Sequence, residues 1–344
     1  MSLYCHIKKK LGHFNMEITF EAMDETVALM GASGCGKSMT LRCIAGTVKP
    51  DSGRIVINGK TVYDSEKCIN LPPQQRKVGY LFQDYALFPN MTVKRNILTV
   101  LPKTRKDQIN TILKAFHLEG LEDHYPNQLS GGQKQRCALA RIIATEPEII
   151  MLDEPFSALD SYLRWQMEQE IVAAIRDFGK TVLFVSHDRD EVYRISDRVV
   201  VMENGKSVPI RAKQELYRHP RTYADALLTG CKNIFPVTRK DGHVSLPEYG
   251  IILPKDYVQE DTAFVGIRAK EILPAHVLPK DKKAIVSSYE IVGVTEAVFT
   301  VILMVKLKER DSLIRWELPK SVYENLHEHP KVLAIPYDEL LLLK

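Results

Sequence analysis

The sequence contains no signature of a disulfide framework, a structural metal site or a membrane span. Its six cysteines form no Cys-x-x-Cys pair and no cluster with histidine, which indicates reduced thiols and argues against a zinc site. The longest strongly apolar run, residues 297–305, falls far short of the ~20 residues that a membrane-spanning helix needs. No apolar signal core precedes the lysines at positions 8–10. We therefore expect a protein of the cytosol that reaches a membrane only through a partner.

Charge of one sign is not in excess either. Lys and Arg number 47 against 43 Asp and Glu, a formal net charge of +4, and no basic block stands out. A nucleic acid is therefore not expected as a partner. What remains is the composition of an ordinary globular protein, with 45% hydrophobic and 26% charged residues in a chain of 344 residues, which is long enough for two domains.

The first two thirds of the chain alternate short apolar runs with helical patterns, which is typical of βαβ units around a mostly parallel sheet. Residues 27–30 predict a buried strand, and residues 37–45 predict the helix that follows it. Residues 149–152 and 182–185 are continuous apolar runs of the kind found in strands buried on both faces. The predicted fold class of this part is therefore α/β.

A stretch from about residue 85 to 145 interrupts this alternation. Its pattern is largely helical, and no clear central strand is predicted within it. Residues 105–118, for example, place their large apolar side chains on one helical face. We interpret the stretch as a helical insert on the α/β core.

From residue 234 onward the sequence consists of short β-rich runs separated by turns. This spacing predicts a small all-β barrel or sandwich. We therefore expect two domains. The α/β core and its insert occupy residues 1–232, and a β-rich domain occupies residues 233–344.

One glycine-rich segment lies between the predicted strand 27–30 and the predicted helix 37–45. It matches Gly-x-x-x-x-Gly-Lys-Ser/Thr, and its residues are Gly31, Ala32, Ser33, Gly34, Cys35, Gly36, Lys37 and Ser38. Glycines allow backbone N–H groups to surround phosphates, and the helix N-terminus adds its positive dipole end. Lys37 is expected to reach the β- and γ-phosphates, and Ser38 to ligate Mg²⁺. A glycine-rich structural turn is the alternative, which the strand–loop–helix setting disfavours.

Two adjacent carboxylates, Asp153 and Glu154, follow the apolar run 149–152. Because neighbouring side chains of a strand point in different directions, the two acids can have different functions. Asp153 is expected to hold Mg²⁺ through its water ligands, and Glu154 to polarise the attacking water. A polar strand end followed by a turn at Pro155 is the alternative, which the presence of a phosphate loop disfavours.

A second segment with anion-binding chemistry opens a predicted helix. It consists of Ser130, Gly131, Gly132 and Gln133, followed by basic and polar residues. A serine hydroxyl and two glycine amides at a helix N-terminus can hold an anion. One nucleotide can use both segments only if they face each other, which suggests that two protomers enclose it.

Taken in order, these segments resemble the ABC-type ATPases over residues 1 to about 232. The resemblance also rests on Gln83, on Ser157-Ala158-Leu159-Asp160 and on Ser186-His187-Asp188. It implies a P-loop NTPase core of the ABC type, with ATP and Mg²⁺ as cofactors. Hydrolysis in such a core depends on positioning and charge stabilisation, with little covalent chemistry by the protein.

The resemblance further implies the roles of individual residues. Gln83 contacts Mg²⁺ and the water, Asp160 couples the two sites of a dimer, and His187 contacts the γ-phosphate. The implied catalytic residues are Glu154, His187 and Gln83. The implied metal-binding residues are Ser38, Gln83 and Asp153. The implied nucleotide-binding residues are Phe14, Gly31 to Ser38, Met39, Ser130 to Gln133 and Asp160.

The family often stacks adenine on an aromatic residue upstream of the phosphate loop. Phe14 is the candidate here, Leu11 is the alternative for that place, and Phe14 fits a core position equally well. A further pair of aromatics, Tyr85 and Phe88, directly follows Gln83. These two suit a groove that grips a helix of a membrane subunit, whereas packing within the helical insert is an equally open alternative.

Two functions compete for such an ATPase, namely driving an importer and acting on nucleic acid or the ribosome. The insert is short and the chain has one cassette, so transport is favoured. Residues 216–220, 230–233 and 266–269 resemble importer ATPases that carry an oligosaccharide-binding-like (OB-like, TOBE/MOP-like) regulatory domain. The likeness is greatest to the molybdate, tungstate and sulfate branch, while sugar, polyamine and iron importers share the architecture.

The resemblance also implies the partners of the chain. They are a second copy in a homodimer, integral membrane permease subunits and, indirectly, an extracytoplasmic solute-binding protein. The chain is then expected as a peripheral subunit at the cytoplasmic face of the membrane.

Overall fold

The computed structural model describes residues 2–157, 161–240, 243–254, 257–307 and 312–344, and it gives the backbone alone for residues 161–163 and 240. Contacts divide the chain into two compact units, residues 1–213 and 214–344. This division precedes the boundary near residue 232 that the sequence suggested. The physical reason is that Ala226 and Cys231 pack with Leu343 in one buried cluster, which ties the segment before residue 232 to the end of the chain.

The first unit is built on a mixed sheet of twelve strands. These strands are β1 (Leu3–Leu11), β2 (Phe14–Ala22), β3 (Thr26–Gly31), β4 (Ser52–Ile57), β5 (Lys60–Asp64), β6 (Ile69–Asn70), β7 (Val78–Leu81), β8 (Ile149–Asp153), β9 (Val182–Val185), β10 (Arg198–Glu203), β11 (Lys206–Ser207) and β12 (Arg211–Ala212). The α-helices are α1 (Lys37–Ala45), α2 (Val93–Leu98), α3 (Ile109–Ala115), α4 (Gly131–Ile143), α5 (Ser161–Phe178) and α6 (Arg189–Ile195).

Five neighbouring strands form the parallel centre of this sheet, in the order β10-β3-β9-β8-β7. β3, β8 and β9 are buried along their whole length, in agreement with their continuous apolar sequences. Antiparallel pairing of β1, β2, β4, β5 and β6 extends the sheet on one side. Because parallel strands end at the same edge, the segments after β3, β7, β8 and β9 lie along one edge of the sheet.

The helical insert joins β7 to β8. The structure describes every residue of this connection and shows helices without a strand between them. Its core contains Val93, Leu113 and Cys137, from α2, α3 and α4 respectively. α3 is shorter than the helical period of residues 105–118 predicted, because residues 103–108 form a 3-10 helix and His117 adopts a left-handed φ of 51° that ends the helix.

The second unit consists of antiparallel sheets with short helices. Its strands are β13 (Asn233–Pro236), β14 (Thr238–Lys240), β15 (His243–Leu246), β16 (Ile251–Leu253), β17 (Phe264–Ile267), β18 (Leu273–Pro274), β19 (Ala284–Glu296), β20 (Thr300–Leu307), β21 (Leu313–Pro319), β22 (Val332–Pro336) and β23 (Leu341–Leu343). The remaining α-helices are α7 (Lys213–Arg218), α8 (Tyr223–Leu228) and α9 (Lys320–Glu324).

These strands form three sheets, ordered β13-β17-β23, β14-β15-β16 and β18-β22-β19-β20-β21. Trp316 is fully buried in their common core, where its indole N–H donates to the carbonyl of Ile272 at 2.7 Å and Tyr289 packs edge-on at 5.2 Å. Small antiparallel sheets of this kind are consistent with the β-rich second domain that the sequence predicted. Among the described residues of the whole chain, no helix is long and apolar enough to cross a membrane.

Candidate active site

The glycine-rich segment after β3 wraps around the Lys37 side chain. Gly34 and Gly36 have φ angles of 79° and 104°, a conformation that glycine adopts without steric cost. Lys37 is buried, and its ammonium donates to the carbonyl oxygens of Gly31 at 2.8 Å and Ala32 at 2.9 Å. No described side chain caps the first turn of α1. The loop therefore offers backbone N–H groups and a fixed cation to an anion.

Ser38 and Asp153 meet beside this loop. The Ser38 hydroxyl donates to Oδ1 of Asp153 at 2.8 Å. A hydroxyl has one proton and two lone pairs, so this bond leaves the Ser38 oxygen able to ligate a metal. Mg²⁺ is commonly held by one or two carboxylates together with substrate phosphates, which this pair of oxygen groups fits. Within the described ranges, no cluster of three or more His, Cys, Asp or Glu side chains could hold a metal ion.

Glu154 follows β8 in a left-handed backbone conformation, with φ 47°. Its N–H donates to the carbonyl of Val185 at 3.0 Å, which ties the turn to β9. The sequence had suggested that one strand presents both acids, but β8 ends at Asp153 and the turn separates the two carboxylates. A non-glycine residue in this region is strained by about 1–3 kcal/mol, and such strain is concentrated at functional sites.

His187 lies in the turn after β9, where its Nδ1 is 3.6 Å from Oε2 of Glu154. The turn is held by Ser186, whose hydroxyl donates to the Glu191 carboxylate at 2.6 Å and accepts from the Asp188 N–H at 2.9 Å. Burial raises the pKa of the Glu191 carboxyl. These bonds fix the backbone of His187, while its side chain stays 66% exposed and therefore accessible to a ligand.

The phosphate loop, Glu154 and His187 border one cavity of about 520 Å³, a size typical of small-molecule sites. Its lining residues are Leu11, Phe14, Ser33, Gly34, Gly36, Lys37, Ser38, Met39, Arg42, Glu154 and His187. Both candidates for the adenine contact, Leu11 and Phe14, belong to this set. Gln83 is exposed after the end of β7 and is not among these lining residues.

A larger cavity of about 670 Å³ occurs elsewhere in the first unit. It is lined by apolar side chains such as Phe116 and Phe178, together with charged groups that pair with one another. Arg136, for example, holds Glu170 through two bonds of 2.6 Å. The smaller cavity combines a phosphate loop, a metal-competent hydroxyl and a carboxylate. We therefore assign the candidate active site to the smaller cavity, on the chemistry of its lining residues and not on its volume.

Comparison with known proteins identifies the family. Residues 14–157 match the family model described as ABC transporter. The chain is 38% identical, over 305 residues, to the Fe(3+) ions import ATP-binding protein FbpC 1 of Pectobacterium atrosepticum, which covers 84% of this chain and 83% of that protein. The chain belongs to the ABC transporter family. It is an ATP-binding subunit of the importer type, an enzyme that hydrolyses ATP to drive transport.

Other relatives of this ABC ATPase carry different solutes in their names. It is 39% identical to the spermidine/putrescine import ATP-binding protein PotA of Nitratidesulfovibrio vulgaris, over 76% of this chain and 73% of that protein. It is 38% identical to the sulfate/thiosulfate import ATP-binding protein CysA of Synechocystis, over 67% of this chain and 66% of that protein. A solved dimeric ATP-binding cassette in a post-hydrolysis state, bound to ADP and phosphate, is similar with a TM-score of 0.51 and 29% identity, over 62% of this chain and 99% of that chain.

The second predicted anion-binding segment of this ABC ATPase lies away from the Lys37 cavity. Ser130, Gly131, Gly132 and Gln133 are all described, and none is among the residues that line that cavity. Ser130 is the exposed N-cap of α4, and it exchanges hydrogen bonds with Gln133. Asp160, the remaining predicted nucleotide contact, lies outside the described residues.

Cys35 lies within the phosphate loop, and its sulfur is 3.9 Å from the Lys37 ammonium. Its thiol is 6% exposed and belongs to the hydrophobic core beneath the loop. A Cβ atom built on Gly31 would lie 2.6 Å from the Cys35 sulfur, which shows how closely the thiol packs against β3. The sequence places Cys35 at the phosphates, and the structure turns its side chain inward.

Tyr80, which the sequence reasoning did not single out, also contacts the site. Its hydroxyl donates to Oδ2 of Asp153 at 2.8 Å. The available signal was a tyrosine in an otherwise apolar strand, three residues before Gln83. Its partner could not be inferred, because the pairing of β7 with β8 is a property of the fold.

Proposed function

We propose that this importer ATPase binds ATP with Mg²⁺ in the Lys37 cavity and hydrolyses it there. The Ser38–Asp153 hydrogen bond carries the proposal, since it sets a metal-competent hydroxyl and a carboxylate side by side at the phosphate loop. Lys37 would neutralise the β- and γ-phosphates, while the loop amides hold their oxygens. The magnesium ion would add neutralisation of the phosphate charge that grows during transfer.

The same proposal assigns the hydrolytic water to Glu154. Its carboxylate follows the end of β8 and borders the same cavity as the phosphate loop. From there it would accept a proton from the attacking water. His187, 3.6 Å away from this carboxylate, would hold the γ-phosphate in the transition-state geometry. Gln83 would join the metal and the water from the exposed turn that follows β7. A role for Asp160 in coupling two sites remains a prediction.

We further propose a head-to-tail homodimer in which Ser130 and Gly132 of one protomer serve the ATP of the other. Two observations support it. Ser130 is exposed, Gly132 beside it is buried, and no residue of the segment lines the Lys37 cavity, which favours a contact between Ser130 and a nucleotide held by a second chain. The similar solved cassette is a dimer bound to ADP and phosphate.

The proposed membrane partners are permease subunits, with an extracytoplasmic solute-binding protein as an indirect partner and the cytoplasmic face of the membrane as the location. Residues 84–89 contain two aromatic side chains that were predicted to grip a permease helix, and one of the two is exposed. Phe88 is 42% exposed and lies 5.0 Å from the Arg141 guanidinium, whereas Tyr85 is 7% exposed and packs inside. Of the two aromatics, Phe88 is therefore the one placed to contact a permease helix.

Ferric iron is the first candidate for the solute. The alignment with the Fe(3+) importer subunit covers 84% of the chain, so it necessarily extends into the second unit, 214–344. The oxyanion solute predicted from the tail motifs is the second candidate, supported by the sulfate/thiosulfate relative at 38% identity. We also propose that the second unit is an OB-like regulatory domain, for which its small antiparallel sheets are the support.

A reconstituted transporter tests these proposals together. The chain would be assembled with its permease in proteoliposomes, with solute-binding protein, Mg²⁺-ATP and one of ferric ion, sulfate, molybdate or spermidine. We expect ATP hydrolysis to rise with ferric ion, and a transporter with Lys37→Ala to stay inactive with every solute. Stimulation by an oxyanion alone would replace iron with the second candidate. Binding of molybdate to the full-length chain, measured at equilibrium, would separately show an oxyanion-sensing second unit.

A further inference from the structure

Tyr80 connects three elements around the candidate metal site. It lies on β7, and its hydroxyl donates to Oδ2 of Asp153 at the end of β8. The Arg42 guanidinium, from α1, lies near the same hydroxyl. Ser38 and Arg42 are four residues apart on α1, so both side chains lie on one face of that helix. Tyr80, Asp153 and Ser38 therefore form one continuous chain of hydrogen bonds, with Arg42 beside it.

Tyr80 is half-buried. A tyrosine hydroxyl that is partly removed from water ordinarily finds some partner, and a purely structural bond is the simplest explanation. The identity of the partner argues for more. The Tyr80 hydroxyl is the donor of this bond. Its acceptor is the carboxylate that the Ser38 hydroxyl also contacts. The bond therefore acts on the carboxylate that Ser38 also holds, beside the phosphate loop.

The two hydrogen bonds fix the plane of the Asp153 carboxylate. Ser38 uses one acceptor site on Oδ1, and Tyr80 uses one on Oδ2. Each carboxylate oxygen has a second acceptor site, which stays available for a metal-bound water. Without Tyr80 the carboxylate could rotate about its bond to Cβ, and the position of that second site would no longer be determined.

We propose that Tyr80 is a positioning residue that orients the Asp153 carboxylate towards the magnesium-bound nucleotide. The inference rests on the proposed metal role of Asp153. Groups that orient metal ligands typically change metal affinity by about 10–100-fold when they are mutated. Tyr80→Phe should therefore weaken metal binding by about tenfold or more, while ATP binding without metal changes little. The phenyl ring can keep its stacking against Phe82, whose centroid is 4.2 Å from that of Tyr80.

The test measures Mn²⁺ binding to the full-length chain, with a non-hydrolysable ATP analogue, by the electron paramagnetic resonance signal of free Mn²⁺. Tyr63→Phe is the matched control. It also removes a hydrogen-bonded tyrosine hydroxyl from this sheet. Tyr63 is buried, and its hydroxyl donates to the carbonyl of Pro50 at 2.9 Å, away from the metal edge. We expect Mn²⁺ affinity to fall in Tyr80→Phe and to stay within about twofold of wild type in Tyr63→Phe.

A double-mutant comparison shows whether Tyr80 acts through Asp153. In an Asp153→Ala background, Tyr80→Phe should cause no further loss of Mn²⁺ affinity, because the carboxylate that it orients is gone. An equal loss in both backgrounds would overturn the inference, as would a Tyr80→Phe affinity within about twofold of wild type. Absence of nucleotide-dependent Mn²⁺ binding by the wild-type chain would instead refute the proposed active site itself. The two failures are therefore distinguishable.

Discussion

Two helices of the first unit begin at segments predicted to bind phosphate, and the two beginnings are built differently. α1 follows Gly36, where no described side chain caps the helix, and Lys37 adds a buried positive charge. α4 follows Ser130, whose hydroxyl accepts from the Gln133 N–H at 3.3 Å. The Gln133 side chain in turn accepts from the Ser130 N–H at 2.9 Å. α4 therefore satisfies part of its own donor set, and α1 leaves its donors for a ligand.

This difference indicates a separate function for each of the two helix ends. The α1 end has the amides and the cation needed to bind a triphosphate within one chain. The α4 end contributes a serine hydroxyl and glycine amides without a buried cation, so it suits an anion that another site already holds. Loss of the first should weaken nucleotide binding, and loss of the second should weaken only the assembly that the nucleotide promotes.

The largest effect is expected from Glu154→Gln, which should trap the state in which both helix ends act on one nucleotide. Removal of a general base lowers turnover by about 10²–10⁴-fold, while the neutral side chain keeps the shape of the site. ATP-dependent dimers should then accumulate, as measured by phosphate release and light scattering. Glu148→Gln, before the opposite end of β8, is the matched control and should retain turnover. Wild-type turnover in Glu154→Gln would show that another group activates the water.

The next largest effect is expected on ATP affinity, when the lysine at the start of each of these two helices is replaced in turn. Lys37→Met removes the charge and the bonds to Gly31 and Ala32, and should weaken ATP binding by the equivalent of one charged hydrogen bond, about 10–100-fold. Lys134→Met changes a lysine in the first turn of α4 and should leave ATP binding by the isolated chain unchanged. Isothermal titration with Mg²⁺-ATP measures both. Equal losses would remove the proposed distinction.

A smaller effect on dimer stability is expected at Ser130. Its hydroxyl caps α4 and is also proposed to contact the nucleotide, so the experiment must distinguish these two roles. Ser130→Ala and Thr92→Ala each remove an N-cap hydroxyl that accepts a 3.3 Å bond, so each should lower the free energy of unfolding by about 1 kcal/mol. In the Glu154→Gln background, only Ser130→Ala should also weaken the ATP-dependent dimer, by about tenfold. Light scattering over a range of chain concentrations measures this. Equal weakening by Thr92→Ala would attribute the effect to helix capping alone.

The elements around this site could be predicted where the signal is local. The apolar runs of β3, β8 and β9 predicted strands, and the structure has strands there. The glycine-lysine-serine motif predicted that α1 begins at Lys37, as it does. Ser38 and Asp153 were expected to share one metal, and the structure brings them together across 115 residues. That expectation came from their chemistry, since both are oxygen ligands.

What the sequence did not reveal depends on how distant segments meet. Tyr80 and Asp153 are 73 residues apart, and no pattern predicts which neighbour a strand tyrosine touches. Strand alternation was a poor guide to Glu154, because the backbone turns to a left-handed φ immediately after Asp153. The direction of the Cys35 side chain was likewise undetermined, since a loop has no period from which to infer it.

The smallest effect tests whether the α1 end binds phosphate through its backbone. Cys35→Ala should leave ATP affinity within about twofold, because the thiol is buried against Gly31 and lines no part of the cavity described here. It should lower the free energy of unfolding by about 1 kcal/mol through lost core packing. Cys43→Ala, in the same core cluster, is the control for that loss. ATP affinity and urea denaturation would be measured for both variants. A loss of ATP affinity of about tenfold in Cys35→Ala but not in Cys43→Ala is the size expected for a lost direct contact, and it would place the thiol at the nucleotide.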